Sequence, residues 1–164
     1  MAIVEVRIDD RLIHGQVSTL WVPHFSVERL LVVDDAVAAD EDRKAVLRFA
    51  CPPQTKLSVF DTEKAAEKLS RRIDEGIRVM IVAVGPIPIL RMRELGYSLP
   101  AVTVGNMSRR PETRQVANLA YATDEEVAAF TELLNFGVKF AFQPTPTTRR
   151  EDLTAAITKL NEGK

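Results

Sequence analysis

Between Asp9 and Gly15 the chain places two carboxylates, an arginine, an imidazole and a glycine within seven residues, Asp9-Asp10-Arg11-Leu12-Ile13-His14-Gly15. An imidazole suits nucleophilic attack on phosphorus near neutral pH, because its reference pKa of about 6.5 leaves much of it uncharged at pH 7. Arg11, three residues before His14, offers a planar fork of N–H donors that matches phosphate-type oxygens. Gly15 has no Cβ, so a tetrahedral group can approach the main chain there. If His14 stands in or just before a first helical turn, main-chain N–H groups without an intrahelical partner point at an incoming anion. The constellation predicts a histidine that accepts a phosphoryl group and divides one transfer into two steps. The same residues admit a plainer reading, in which Asp10 caps a helix, Arg11 pairs with Asp9 or Asp10, and His14 is a partly buried ring.

The elements that must position this stretch read as strand and helix in alternation. Short apolar runs predict strands at Ile3–Ile8, Leu30–Val33, Leu57–Phe60, Val79–Val84, Ala101–Val104 and Lys139–Phe142, with Asn118–Ala122 as one more. Six apolar residues in a row at Val79–Val84 suit a strand covered on both faces, as in a parallel sheet between helices. Ile13, Val17, Leu20 and Trp21 fall on one helix face. Further helices are predicted at Asp40–Phe49, before Cys51-Pro52-Pro53, and at Thr62–Ile73, Ile87–Leu95 and Arg149–Leu160. Thr123-Asp124-Glu125-Glu126 is a capping box for a helix running to about Asn135. The pattern predicts an α/β fold with a mostly parallel sheet of six to seven strands. Gly105–Arg114 is expected to be a long polar loop carrying Arg109, Arg110 and Arg114, with Arg109 and Arg110 solvated or steering a partner's phosphate or acidic rim. Ligands gather at the carboxyl ends of strands in such sheets. That directs attention to Asp9–Gly15, Asp34-Asp35, Asp61, Gly85-Pro86, Gly105–Arg110 and Gln143–Thr148.

Composition narrows the classes. The 164 residues carry 22 Lys and Arg against 23 Asp and Glu, a balance that argues against nucleic-acid binding. A chain of this length predicts one domain over 1–164, able to hold a core without disulfides or metal. One cysteine, Cys51, excludes an intrachain disulfide, and two histidines with one cysteine exclude the common zinc constellations. No apolar run approaches about 18 residues, and Met1–Arg7 lacks the apolar stretch of a secretory leader, so a reducing, non-membrane setting is expected.

Asp9-Asp-Arg-Leu-Ile-His-Gly-Gln-Val17 resembles the active-site signature of the IIB components of the mannose/fructose/sorbose family of the bacterial phosphotransferase system. The resemblance continues through Val32–Val37, Ala50–Pro53, Val102–Met107, where Asn106 replaces the second glycine of a Val-Gly-Gly-Met loop, and Phe142–Pro146. It implies a three-layer α/β/α sandwich with the first strand central. It implies that His14 is phosphorylated, at Nδ1, from a phosphohistidine on a IIA protein or domain. The phosphoryl group then passes to a sugar presented by the membrane subunits IIC and IID, at the cytoplasmic face of the membrane. Arg11 and Gly15 would hold it, with Asp9, Asp10, Gln16, Asp35, Gly85, Pro86, Gly105 and Asn106 as the expected rim. No metal or cofactor is called for, since phosphoryl transfer mostly needs in-line positioning and neutralised equatorial oxygens.

Three other classes are compatible with parts of this pattern. Asp9-Asp10 with Asp61 fits the acidic set of a response-regulator receiver domain, which would bind Mg²⁺, but Gly85-Pro86 and Gly105-Asn106 stand where a hydroxyl residue and a lysine are needed. No GxGxxG or GxxxxGK[ST] supports a nucleotide-binding enzyme. A non-catalytic paralogue that only binds partner proteins is the third.

Overall fold

In the computed structural model, which describes residues 3–163, strand and helix alternate along the chain. Met1 and Ala2, the start of the charged Met1–Arg7 stretch, and Lys164 lie outside the described residues. The strands are β1 Ile3–Asp9, β2 Arg29–Val33, β3 Lys56–Phe60, β4 Val79–Ala83, β5 Ala101–Asn106, β6 Arg114–Ala117, β7 Ala120–Ala122, β8 Lys139–Phe142 and β9 Glu151–Asp152. A π-helical segment, Val17–Trp21, runs directly into α1 Val22–Phe25. The other helices are α2 Asp35–Ala38, α3 Glu41–Ala50, α4 Thr62–Ser70, α5 Pro86–Glu94, α6 Asp124–Asn135 and α7 Thr154–Glu162.

Seven strands form one sheet in the order β3-β2-β4-β1-β5-β8-β9, parallel except for the short β9 edge. This is the expected α/β/α sandwich, and β1 is central. It pairs with β4 through Arg7↔Val82 and with β5 through Arg7↔Thr103. Whatever follows β1 therefore lies mid-edge among the carboxyl ends of parallel strands, where such sheets place ligands.

Strand alternation divides the apolar residues between two cores. On one face Val6, Ile8, Ile81 and Val104 meet Ala66, Ile89, Phe130 and Ile157 of the α4 to α7 layer. On the other, Leu30, Val32, Met80 and Val82 meet Ile13, Val17, Trp21, Val37 and Leu47 from the π segment, α2, α3 and the turn before them. Glu5, Arg7 and Asp9 alternate with Val6 and Ile8 and so share the second face.

Four expectations need correction. Ile13, Val17 and Trp21 are buried but Leu20 is exposed, because the helix opens as a π turn with Val22 N–H bonded to Val17 O five residues back. Buried positions there recur every four residues and miss Leu20. The Gly105–Arg114 loop is shorter than its polarity suggested, since β5 runs on to Asn106 and Arg114 opens β6. The Asn118–Ala122 strand contracts to β7, which pairs antiparallel with β6 outside the main sheet. The last helix starts at Thr154 rather than Arg149. Residues before it extend along β8 as β9, with Leu153 N–H bonded to Phe140 O and Thr154 N–H to the Asp152 carboxylate.

Candidate functional site

The chain leaves β1 at Asp9 and turns through residues 10–15 before the π segment. The turn is held by main-chain bonds from Leu12 N–H to Asp9 O, 2.8 Å, and from His14 N–H to Arg11 O, 3.3 Å. Leu12 takes a left-handed conformation, φ 61°, which costs a non-glycine residue roughly 1–2 kcal/mol. Its fully buried side chain and that of Ile13 plug the turn into the second core and offset that cost. With both neighbours pulled inward, His14 and Gly15 are left exposed at the tip. Gly15 itself has φ +64°, which favours glycine independently of any ligand.

Asp9 and Arg11 form a clamp. Asp9 Oδ1 accepts the Arg11 main-chain N–H at 3.0 Å and Nε at 3.3 Å, while Oδ2 accepts Nη2 at 3.3 Å. The Asp9 side chain is 2% exposed and that of Arg11 42%, so the carboxylate holds the fork from inside and leaves its outer edge to solvent. The remaining nitrogen, Nη1, lies 3.9 Å from where a Cβ on Gly15 would stand. A guanidinium edge and a Cβ-free main chain therefore lie side by side, next in sequence to the exposed His14.

Asp10 does not cap the following helix. Its carboxylate accepts Ser108 N–H at 2.6 Å, Ser108 Oγ at 3.1 Å and Asn106 Nδ2 at 2.8 Å, and its own N–H donates to Asn106 O at 3.0 Å. Asn106, the residue that departs from the double glycine, thus stitches the loop after β5 to the His14 turn. Gly105 packs beneath, where a Cβ would collide with Arg7 Nη2 and lie 3.6 Å from Asp9 Oδ2. Gln16 follows Gly15, half-buried, as the residue before the π segment, with no side-chain cap bond.

Asp35, Gly85 and Pro86 belong to a different place. Asp35 Oδ1 accepts Thr62 N–H and Oγ1 at 2.8 and 2.9 Å. A Cβ on Gly85 would lie 2.8 Å from Glu126 Oε2. Asp35 and Gly85 line a cavity of about 350 Å³ with Asp34, Thr62, Arg91 and Glu126, to which the His14 turn contributes no residue. Pro86 opens α5 beside it, buried at the first helical position. Asp34 and Asp61 serve as helix caps, accepting Val37 N–H and Lys64 N–H.

Arg110 is not a free loop cation. It bonds Ser108 O at 3.0 Å, Tyr121 O at 3.0 Å and Glu126 Oε1 at 2.9 Å. Arg109 is exposed, its guanidinium 5.9 Å from the Tyr121 ring centroid. Cys51 Sγ donates to Thr55 O, and His24 stands edge-on to Trp21 and Phe25, consistent with packing roles for both. The receiver reading loses its acidic set, because Asp9 and Asp10 are engaged by protein donors and Asp61 caps α4.

The residue that sequence reading missed is Arg7, fully buried beneath Trp21. Burial pushes its pKa down to about 10, with Glu5 and then Asp9 pulling it back, so it stays protonated at neutral pH. Burial pushes the carboxyls of Asp9 and Glu5 up. The Arg11 bonds resist this most at Asp9, and the Arg7 charge does so at Glu5. The available signal was two charged residues, Glu5 and Arg7, spaced by two in a central apolar strand, which places both on one face.

Comparison with known proteins finds similarity along nearly the whole chain. The family described as the PTS system sorbose subfamily IIB component matches residues 3–164. The chain is 32% identical over 157 residues to the PTS system fructose-specific EIIB component of Bacillus subtilis (strain 168), covering 96% of each. It is 34% identical over 162 residues to the PTS system mannose-specific EIIAB component of Escherichia coli (strain K12), covering 99% of this chain and 50% of that protein's length. The crystal structure of the IIBSor domain of the sorbose permease from Klebsiella pneumoniae superimposes with a TM-score of 0.88 at 31% identity, over 97% of this chain and 98% of that one.

Proposed function

Because the chain belongs to the sorbose subfamily of phosphotransferase-system IIB components, we propose that His14 carries a phosphoryl group between a IIA phosphodonor and a sugar. In the first step a ring nitrogen of His14 attacks phosphorus in line. Its N–P bond forms as the donor histidine's N–P bond breaks, and the donor ring leaves with its electron pair. In the second, a sugar hydroxyl attacks the same phosphorus, the His14 N–P bond breaks with its electron pair returning to the ring, and the hydroxyl proton passes to solvent. Arg11 neutralises the equatorial oxygens in both steps, and Gly15 leaves the main chain open to them. The acceptor is a sugar of the mannose, fructose, sorbose or N-acetylgalactosamine class, presented by IIC and IID at the inner face of the membrane. None of the helices in the described residues is long and apolar enough to cross a membrane, which suits a component that docks to membrane subunits.

One observation carries this reading: His14 is exposed on a turn whose neighbour Arg11 is clamped by Asp9 with one nitrogen turned towards Gly15. The test is phosphoryl uptake from a phosphohistidine-charged IIA protein. The expected product holds one acid-labile, base-stable phosphate per chain, and His14→Ala abolishes it without unfolding the chain. Arg11→Ala is expected to slow transfer by on the order of 100-fold while barely shifting the unfolding midpoint. Unchanged stoichiometry in His14→Ala, or an acyl-phosphate lability, rejects the assignment. An absence of uptake by the parent leaves a non-catalytic binding protein.

A further inference from the structure

Glu5, Arg7 and Asp9 form a row of charge on β1 directly beneath the His14 turn. The Arg7 guanidinium lies 3.9 Å from the Trp21 ring centroid, donates from Nη2 to Gln143 O at 2.9 Å, and sets Nη1 3.4 Å from Glu5 Oε2. Its Nε finds no hydrogen-bond partner among the described residues. A buried cation with an orphaned N–H is costly, and an apolar side chain of similar volume would commonly hold such a site as well or better. Stability alone therefore gives no reason for an arginine here. What Arg7 has above it is Asp9, two residues along the same face, and what Asp9 holds is Arg11. Gly105 lets the three approach, since any Cβ on β5 at that point would displace Nη2.

We infer that Arg7 is a positioning residue for phosphoryl transfer: it keeps Asp9 an ionised clamp with both oxygens on Arg11, so that Arg11 Nη1 stays turned towards Gly15 and the group on His14. The inference rests on the transfer reading of the site and adds a residue that does not touch the phosphoryl group. The direction of the electrostatics agrees. Burial favours a neutral Asp9, and Arg11 and Arg7 are the charges that oppose it. The other charged groups around the row are Glu5 on β1 and Arg150, which reaches in from beside β9 to Thr103 Oγ1 and Gln143 Oε1. His24 stands on the outer side of Trp21.

Without Arg7 the Asp9 carboxyl takes up its proton at higher pH, a protonated Asp9 no longer grips the Arg11 fork with both oxygens, and transfer fails first on the acid side. Arg7→Gln and Arg7→Met are two neutral replacements of different polarity, and either one that folds is sufficient. Both are expected to slow phosphoryl uptake from a charged IIA protein by on the order of 100-fold at pH 7, the cost of a reacting group misplaced by about an ångström. Their rates should rise with pH along an acid limb moved towards neutrality. Arg7→Lys, which restores the charge, should bring that limb back to its parental position. Adding Asp9→Asn to either neutral variant should abolish that rise with pH and, on the acid side of the moved limb, cost nothing further, because Arg7 acts through Asp9. A second readout needs no phosphate: the Arg11 Nε–H, which Asp9 Oδ1 accepts at 3.3 Å, should exchange with solvent faster in the neutral variants than in the parent. Parental rate and pH profile in a folded neutral variant, multiplying effects with Asp9→Asn on the acid side, or an unchanged Arg11 Nε–H exchange rate overturns the inference. Failure of the parent itself to take phosphate on His14 strikes the transfer reading instead, and the Arg11 exchange rate still reports whether Arg7 holds the clamp.

Discussion

At the scale of single residues, the proposed chemistry uses side chains that lie close in sequence, and what aligns them comes from far along the chain. His14, Arg11 and Gly15 stand out in the sequence as candidates because an imidazole, a guanidinium fork and a Cβ-free position fall within five residues. The roles of Asp9 and Asp10 were not, because both acids follow the same strand and only geometry separates them. Asp9 turns back to hold Arg11, while Asp10 reaches across to Asn106 and Ser108. Gly105 shows the same limit. It reads as a loop glycine, yet its backbone is the lid over Arg7 and Asp9. Gly105→Ala is expected to force Arg7 aside, to cost about 1–3 kcal/mol in urea unfolding as overpacking does, and to slow phosphoryl uptake along with it. Parental stability and rate in that variant would mean that Arg7 has room the structure does not show.

Among the elements, most of those with their own local signals were read to within a residue or two, while α4 ends at Ser70 rather than at the expected Ile73. The capping box is formed as its sequence promises: Thr123 Oγ1 accepts Glu126 N–H and Glu126 Oε1 accepts Thr123 N–H. Glu126 also binds Arg110 through that oxygen, so one side chain closes α6 and anchors the loop that carries Ser108 to Asp10. Thr123→Ala is expected to lower stability by about 1 kcal/mol, the usual worth of a cap, readable as a lower thermal midpoint with transfer intact. The π segment escaped notice because apolar spacing was read at 3.6 residues per turn, whereas the turn entering it places Ile13, Val17 and Trp21 inward at every fourth residue. β9 escaped for a different reason. Glu151 and Asp152 have no apolar pattern, and their extended form comes from the open edge of β8.

Over the whole molecule, the sheet separates stability from chemistry. The larger core lies on the face of α4 to α7, where Phe130 meets Phe140 edge-on with centroids 4.9 Å apart. The His14 turn is plugged into the opposite core through Leu12, Ile13 and Trp21. Phe130→Ala is therefore expected to cost about 3–5 kcal/mol in denaturant unfolding, while phosphoryl uptake by the folded fraction stays near the parental rate. A rate that falls in step with stability would show that the two faces are coupled through β1.

The chain by itself determined the alternation of strand and helix, the helix caps, and the candidate imidazole with its nearby arginine, because each depends on neighbours within a few residues and on side-chain chemistry that travels with the residue. Tertiary structure alone decided that β1 lies between β4 and β5, that Arg7 is buried under Trp21, and that Asp35 and Gly85 line a separate cavity with Pro86 beside it. Those outcomes depend on which distant segments meet across the sheet. A buried charge and an exposed one have the same letter until the surrounding backbone takes the water away.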